Sequence, residues 1–422
     1  MSEDKDRDKH KDKVKVKEIK KAPKGFSLLK LALFLFIVVL ISGVALYSFM
    51  GINPADVLVE GVSGLYNRIF TVGTAELSET VKTLATYDAS ERPFCTTVSD
   101  DLVVATTSSV KIYDSEGREK AYIPVNLQKP YIEDCKKEIL IADLEGRYFS
   151  LMVDDRLLWE KTIDEDIVNA SISEDWILLI TKSKQSGYKR TIRAYSKDGQ
   201  EVSFRNVSNY YPFAAFYYPQ FNKTSFIVNG IDTSGLETNG FFEFLDPSMN
   251  QKASIRGENE VFAGGIPLNE GRLFLYGEKS LILIDEGFNA IWEKKLTEFT
   301  VTAANVIKEK YPIVAELNKE ILSNESRHET TIRVLNGDSS ERAKLTIDEE
   351  VTGISTSGST AAIRAGSEVF FINLNGEIMD RYTAKSDVSA VYLAREDLAY
   401  VISEDTVSRV NVKISHKFLG IF

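Results

Sequence analysis

Paired carboxylates are the chemistry this sequence offers most freely. Asp154 and Asp155 stand side by side, as do Glu349 and Glu350. Two acids flanking a scissile bond are the working parts of a glycoside hydrolase, one protonating the leaving group while the other attacks or activates water. With 62 Asp and Glu in 422 residues, adjacent acids also fall on turns by chance, so these pairs mark no site by themselves. The chain contains no Gly-x-Ser-x-Gly, no phosphate-binding P-loop and no His-Glu-x-x-His. Its three histidines, His10, His328 and His416, are scattered, and without a Cys/His cluster neither a zinc nor a haem site is expected. Aromatic chemistry is the other candidate. Tyr210, Tyr211, Phe213, Phe216, Tyr217 and Tyr218 would make a Tyr-rich interface if exposed, or would fill a strand if buried.

Residues 31–50 carry no charge, and twenty residues at about 1.5 Å each cover the roughly 30 Å of a bilayer core. Before them lies a tail, residues 1–25, with ten Lys or Arg against six Asp or Glu. It is expected to be disordered and cytoplasmic, its basic excess setting the orientation. The apolar run is longer than a signal-peptide core and ends at Tyr47, Ser48, Phe49 and Met50 without a small-residue cleavage site, so residues 26–52 read as an uncleaved signal anchor. Asn53, Pro54 and Asp56 then start a helix, and Val57, Leu58, Val62, Leu65, Ile69 and Phe70 recur at helical spacing. Residues 53–79 are thus an amphipathic juxtamembrane helix and linker. The whole chain is at −11, which leaves about −16 on the part beyond the span. Such a body repels nucleic acid and anionic headgroups. No nucleic-acid partner is expected.

From about Thr80 a different unit recurs: an apolar strand, a tight polar turn and a second strand. Aligned on the turn residue, the copies fall at Asp114, Asp154, Ser196, Asp246, Asp285, Asn336, Asn373 and Asn411. A period near 40 residues with room for four short strands is the pattern of a β-propeller blade. Residues 80–422 therefore read as an all-β propeller of eight four-stranded blades, or seven if the terminal copy is miscounted. The last copy lacks a fourth strand, and Thr80–Tyr87 is expected to supply it, leaving no unpaired edge.

The segments Asp154–Lys161 (DDRLLWEK) and Asp285–Lys294 (DEGFNAIWEK) resemble the blade motif of the quinoprotein-dehydrogenase-like (PQQ-like) propellers. There a turn followed by Trp docks neighbouring blades. The resemblance implies that Trp159 and Trp292 are blade-packing residues. It does not extend to the quinone enzymes' calcium-held cofactor or vicinal disulfide, since Cys95 and Cys135 are 40 positions apart, and no cofactor is expected. The two cysteines fall in neighbouring blades and are expected to be free buried thiols rather than a disulfide. With its tail and span, the chain also resembles an uncharacterised family of membrane-anchored propellers of Gram-positive bacteria.

Uneven repeat spacing indicates where such a propeller would bind. Insertions at 182–189, 230–240 and 318–329 fall between second and third strands, whose loops open on the same face as the linkers between blades. That face is the expected binding face, the aromatic stretch 210–218 joining it or entering the pore. The functional expectation is an extracytoplasmic, non-catalytic scaffold or sensor for a protein or cell-envelope component. A hydrolase or lyase acting at the pore is the alternative.

Overall fold

The computed structural model describes residues 81–87, 93–219, 221, 225–318 and 329–414. The expected tail (1–25), span (26–52) and juxtamembrane helix (53–79) lie outside the described residues. Among the described residues no helix is long and apolar enough to cross a membrane.

Thirty-two strands form eight antiparallel four-stranded sheets. Seven take their strands in direct chain order. Their middle strands are mostly apolar and buried: Ser280–Ile284, the third strand of blade five, is buried at every position, although a charged residue such as Lys111, Arg193, Glu243 or Arg333 interrupts others. Their fourth strands alternate, as Gln251–Arg256 does in blade four. A run buried on both sides must be covered by a sheet on each face, whereas an alternating strand has one face in solvent. The core is accordingly a set of inter-blade layers, such as the one in which Leu178, Ile180 and Ile192 of blade three meet Ala215 and Phe226 of blade four.

The aligned turn residues end or follow the third strands. In six blades the residue three positions later is left-handed: Gly117, Gly199, Met249, Phe288, Ser339 and Gly376, with φ between 65° and 82°. Each lies at a register shift between third and fourth strands, which is the hairpin built from a type I turn and a glycine-type bulge. The turn acid organises it. Asp114 Oδ1 accepts the amides of Glu116 and Arg118 at 2.9 Å, and Asp285 Oδ1 those of Gly287 and Asn289 at 2.9 Å. Blade two departs from this, because Asp154 and Asp155 both have positive φ and make a two-residue turn.

The eighth sheet closes the ring. Its order is β1-β32-β31-β30, so β1 (Val81–Thr86) is the outer strand on β32 (Thr406–Asn411), with β31 (Leu398–Ser403) and β30 (Val388–Arg395) inside. The structure thus has eight blades, closed by the segment expected from the sequence. The seam to blade one is bonded as well as packed: Tyr400 Oη donates to Asp100 O at 2.6 Å, and Lys82 Nζ to Glu116 O at 2.8 Å. Leu84 fills the space beside Gly117, where a Cβ would sit 2.5 Å from the leucine methyl.

Leu84 occupies a place used again around the ring, where the fourth strand meets the next blade's turn. Trp159, on β9 (Arg156–Thr162), donates from its indole to Lys197 O at 2.8 Å, and Trp292, on β21 (Ala290–Lys295), to Gly337 O at 3.1 Å. At the register-equivalent position of blade three, Ser203 Oγ donates to Pro247 O at 2.7 Å. In blade seven, Asp380 Oδ2 accepts from Lys413 N at 2.9 Å.

If β1 closes the ring, a chain beginning at Glu91 should unfold at least about 5 °C below one beginning at Thr74, or be lost to the insoluble fraction through the bared edge of β32. Equal thermal midpoints would show that β1 contributes nothing.

Candidate binding face

Strand order places the three long insertions together. Residues 183–189 join the second and third strands of blade three, 233–238 those of blade four, and 319–329 those of blade six. The strand ends that flank them lie on the face of the inter-blade linkers, and positions 319–328 lie outside the described residues. The opposite face carries the turns described above. Leu236, in the blade-four insertion, is fully exposed.

The aromatic stretch is divided between face and core. Tyr211–Tyr218 is β14, the first strand of blade four, and its side chains alternate. Ala215 and Tyr217 face the layer shared with blade three, whereas Phe216 and Tyr218 face that shared with blade five. Tyr218 is buried and its hydroxyl donates to Leu268 O; Tyr217 meets Phe226 edge-on at 5.8 Å. Phe213 is half-buried at the register shift between Pro212 and Ala214. Tyr210, in the linker, is 1% exposed. Its hydroxyl donates to Glu243 Oε2 at 2.6 Å, and burial followed by the Glu243 charge pushes its pKa up. Gly230 lies against its ring, where a Cβ would meet it at 2.6 Å. The expectation of a six-residue aromatic surface is therefore corrected: both flanking layers need large side chains, and Tyr211 alone of the six is more than a third exposed. It lies under a cation, Lys189 Nζ, 4.4 Å from its ring centre.

First strands of successive blades approach one another around the ring, β30 returning to β2 (Phe94–Val98). Their polar side chains bond sideways. Thr96 donates to Asp134 Oδ1 at 2.9 Å, Asn169 Oδ1 accepts from Ala215 N at 3.2 Å, Asn305 Nδ2 donates to Ile354 O at 2.8 Å, and Ser355 Oγ accepts from Leu393 N at 3.0 Å. On β6 (Pro130–Cys135) Tyr131 Oη donates to Glu133 Oε2 at 3.1 Å. Burial raises Glu133 to about 7, against the Tyr131 hydrogen bond, and burial also raises Asp134. This acid pair, inside a strand rather than on a turn, was missed in the sequence; its position within a β-type run was the available signal. The pairs first singled out, Asp154–Asp155 and Glu349–Glu350, lie on a turn and at a linker. Cys95 and Cys135 are free, and burial pushes Cys95 up to about 12, leaving an unreactive thiol. Among the described residues no cluster could hold a metal ion.

Sheet order, ring closure and blade turns together define an eight-bladed β-propeller. BamB from Moraxella catarrhalis has a similar fold, with a TM-score of 0.53 at 15% identity over 80% of this chain and 99% of that one. Sqt1 from Saccharomyces cerevisiae is also similar, at 0.59 and 9% identity over 79% and 99%. The chain belongs to a family of unknown function, DUF5711, whose model matches residues 73–412. A comparison with curated proteins returns no match.

Glu133 sets a pH dependence whose sign is fixed. Its folded pKa of about 7 lies above the ordinary carboxyl range, so the folded state holds a proton that the unfolded chain releases. Stability should then fall as pH rises from about 4.5 to about 7 and level off above. Glu133→Gln should flatten that part of the thermal-midpoint profile and be the more stable form at pH 8; parallel profiles would show that Glu133 does not titrate there.

Proposed function

We propose that the protein is a membrane-anchored, extracytoplasmic interaction scaffold or sensor, holding a protein or cell-envelope component on the linker face of its propeller without catalysing a reaction. The observation that carries this reading is the placement of the long second-to-third-strand insertions 183–189 and 233–238 on that face, with an exposed leucine in the second. Binding insertions in repeat architectures gather on one face, while the stacked repeats supply rigidity. A propeller compatible with a scaffold is the fold shared with BamB. Anchoring rests on the uncharged run 31–50 and the basic tail before it.

The alternative, a hydrolase or lyase working at the pore, has Glu133 in its favour, because a carboxyl with a pKa near neutrality suits a general acid. Against it stands the engagement of the neighbouring Asp134 by Thr96 of the adjacent blade.

Both parts of the proposal can be tested on intact protoplasts. Added protease should degrade the propeller and spare residues 1–25, and a photo-crosslinking residue at Leu236 should trap a discrete partner where one at Asp198, on the opposite face, traps none. Protection of the propeller would invert the orientation, and equal trapping at both positions would remove the face assignment.

A further inference from the structure

On the linker face acids are widespread, and besides single cations such as Lys279, Lys295 and Lys385 several cations share the blade-three insertion. Loops and linkers from blade four onward carry Glu258, Glu260, Glu278, Glu298, Glu349 and Glu404. Lys189 and Arg190 instead lie against Tyr211 where the blade-three insertion adjoins the start of blade four, and Lys184 and Tyr188 precede them in the same insertion, the Lys184 amide donating to Glu165 Oε1 at 3.2 Å. Nearby cations are already paired, Lys182 with Asp166 at 3.6 Å and Arg193 with Glu165 at 2.9 Å. Lys184, Lys189 and Arg190 make no ion pair among the described residues. Arg190 Nη1 donates only to the carbonyl of Lys189, at 3.1 Å, and its buried Nε has no partner among the described residues. Asp232, the acid across the blade boundary, is held by Arg256 and Ser234 and also feels the Lys189 charge, while Lys189 Nζ itself donates to Asn209 O at 3.4 Å. A half-buried guanidinium without a counter-ion is costly in the free protein, and an anion beside it would offset that cost.

The patch is also fixed in advance. Asn206 Nδ2 donates to Gln185 Oε1 at 2.8 Å, Tyr188 N to Gln185 O at 3.2 Å, and Lys189 N to Val207 O at 2.7 Å. Binding there pays little loop ordering. Tyr188 and Tyr211, each 37% exposed, supply flat apolar surface beside the charges.

We propose that this patch receives a short acidic segment of a partner protein, its carboxylates on Lys184, Lys189 and Arg190 and an apolar or aromatic side chain against the two tyrosines. The proposal rests on the scaffold reading and specifies the partner's chemistry. Size decides the class. An extended polyanion would have to continue over Glu165 and Asp166 on one side or Glu237 and Glu258 on the other, whereas a compact acidic segment stays within the cations.

The test uses the full chain in mild detergent and a short fluorescein-labelled peptide of alternating Glu and Tyr, followed by anisotropy at low salt. Saturable binding is expected that weakens about tenfold or more in Lys189→Glu/Arg190→Glu, weakens with added salt, and is unchanged by Lys385→Glu elsewhere on the face. Thermal unfolding is measured first on each variant; if the double variant is unfolded, Lys184→Glu/Lys189→Gln takes its place. Absence of saturable binding to the folded wild type, or equal affinity in the charge-altered variant, overturns the proposal. So does inorganic polyphosphate displacing the peptide at a lower concentration of charge than unlabelled peptide does, since the class would then be a polyanion. Persistence of the Leu236-crosslinked partner in a variant that has lost peptide binding removes the patch from that partner's site while leaving the scaffold reading standing.

Discussion

Apolar surface on both faces of the blades' middle strands is the constraint from which this architecture follows. A lone blade with buried positions throughout its third strand, as in Ser280–Ile284, would leave two greasy faces in water, at roughly 25 cal/mol for each Å² exposed. Neighbouring blades cover those faces, but a row of blades would still leave two ends bare. A ring has no ends. That is why β1 crosses to the last blade and why the seam between blades eight and one has its own buried layer, formed by Cys95, Leu102 and Val104 against Leu398, Tyr400 and Val407.

Apolar layers alone set spacing loosely, since sheets can slide over one another. Two sets of polar contacts fix the blades more closely. Outside, the fourth strand of one blade meets the third-strand turn of the next through Trp159, Trp292, Ser203 or Asp380. Inside, Thr96, Asn169, Asn305 and Ser355 bond from one first strand to its neighbour. The turns thereby become structural, and variation in length is left to the loops between second and third strands. A scaffold built this way can alter its binding face without disturbing its core.

Much of the fold was legible in the sequence because its signals are local. A turn acid accepting amides two and four residues on, as Asp114 and Asp285 do, announces a hairpin, and an apolar run before it announces a buried strand. The closing strand was legible from a missing partner. The aromatic stretch was not. Where both faces of a strand are buried, Tyr217 and Tyr218 look alike in sequence although one faces blade three and the other blade five, so polarity carries no information about exposure. Arg190 was equally hidden, because its unmade hydrogen bond depends on the absence of an acid that only the folded arrangement could have supplied.

Native-state hydrogen exchange on the closing strand tests ring closure most directly. If the eight blades form one cooperative ring, the amides of β1 that pair with β32 should exchange only through global unfolding, with the same denaturant dependence as amides in the first strands of blades three and four. Exchange of the β1 amides at a far lower free energy, independent of denaturant, would contradict the account.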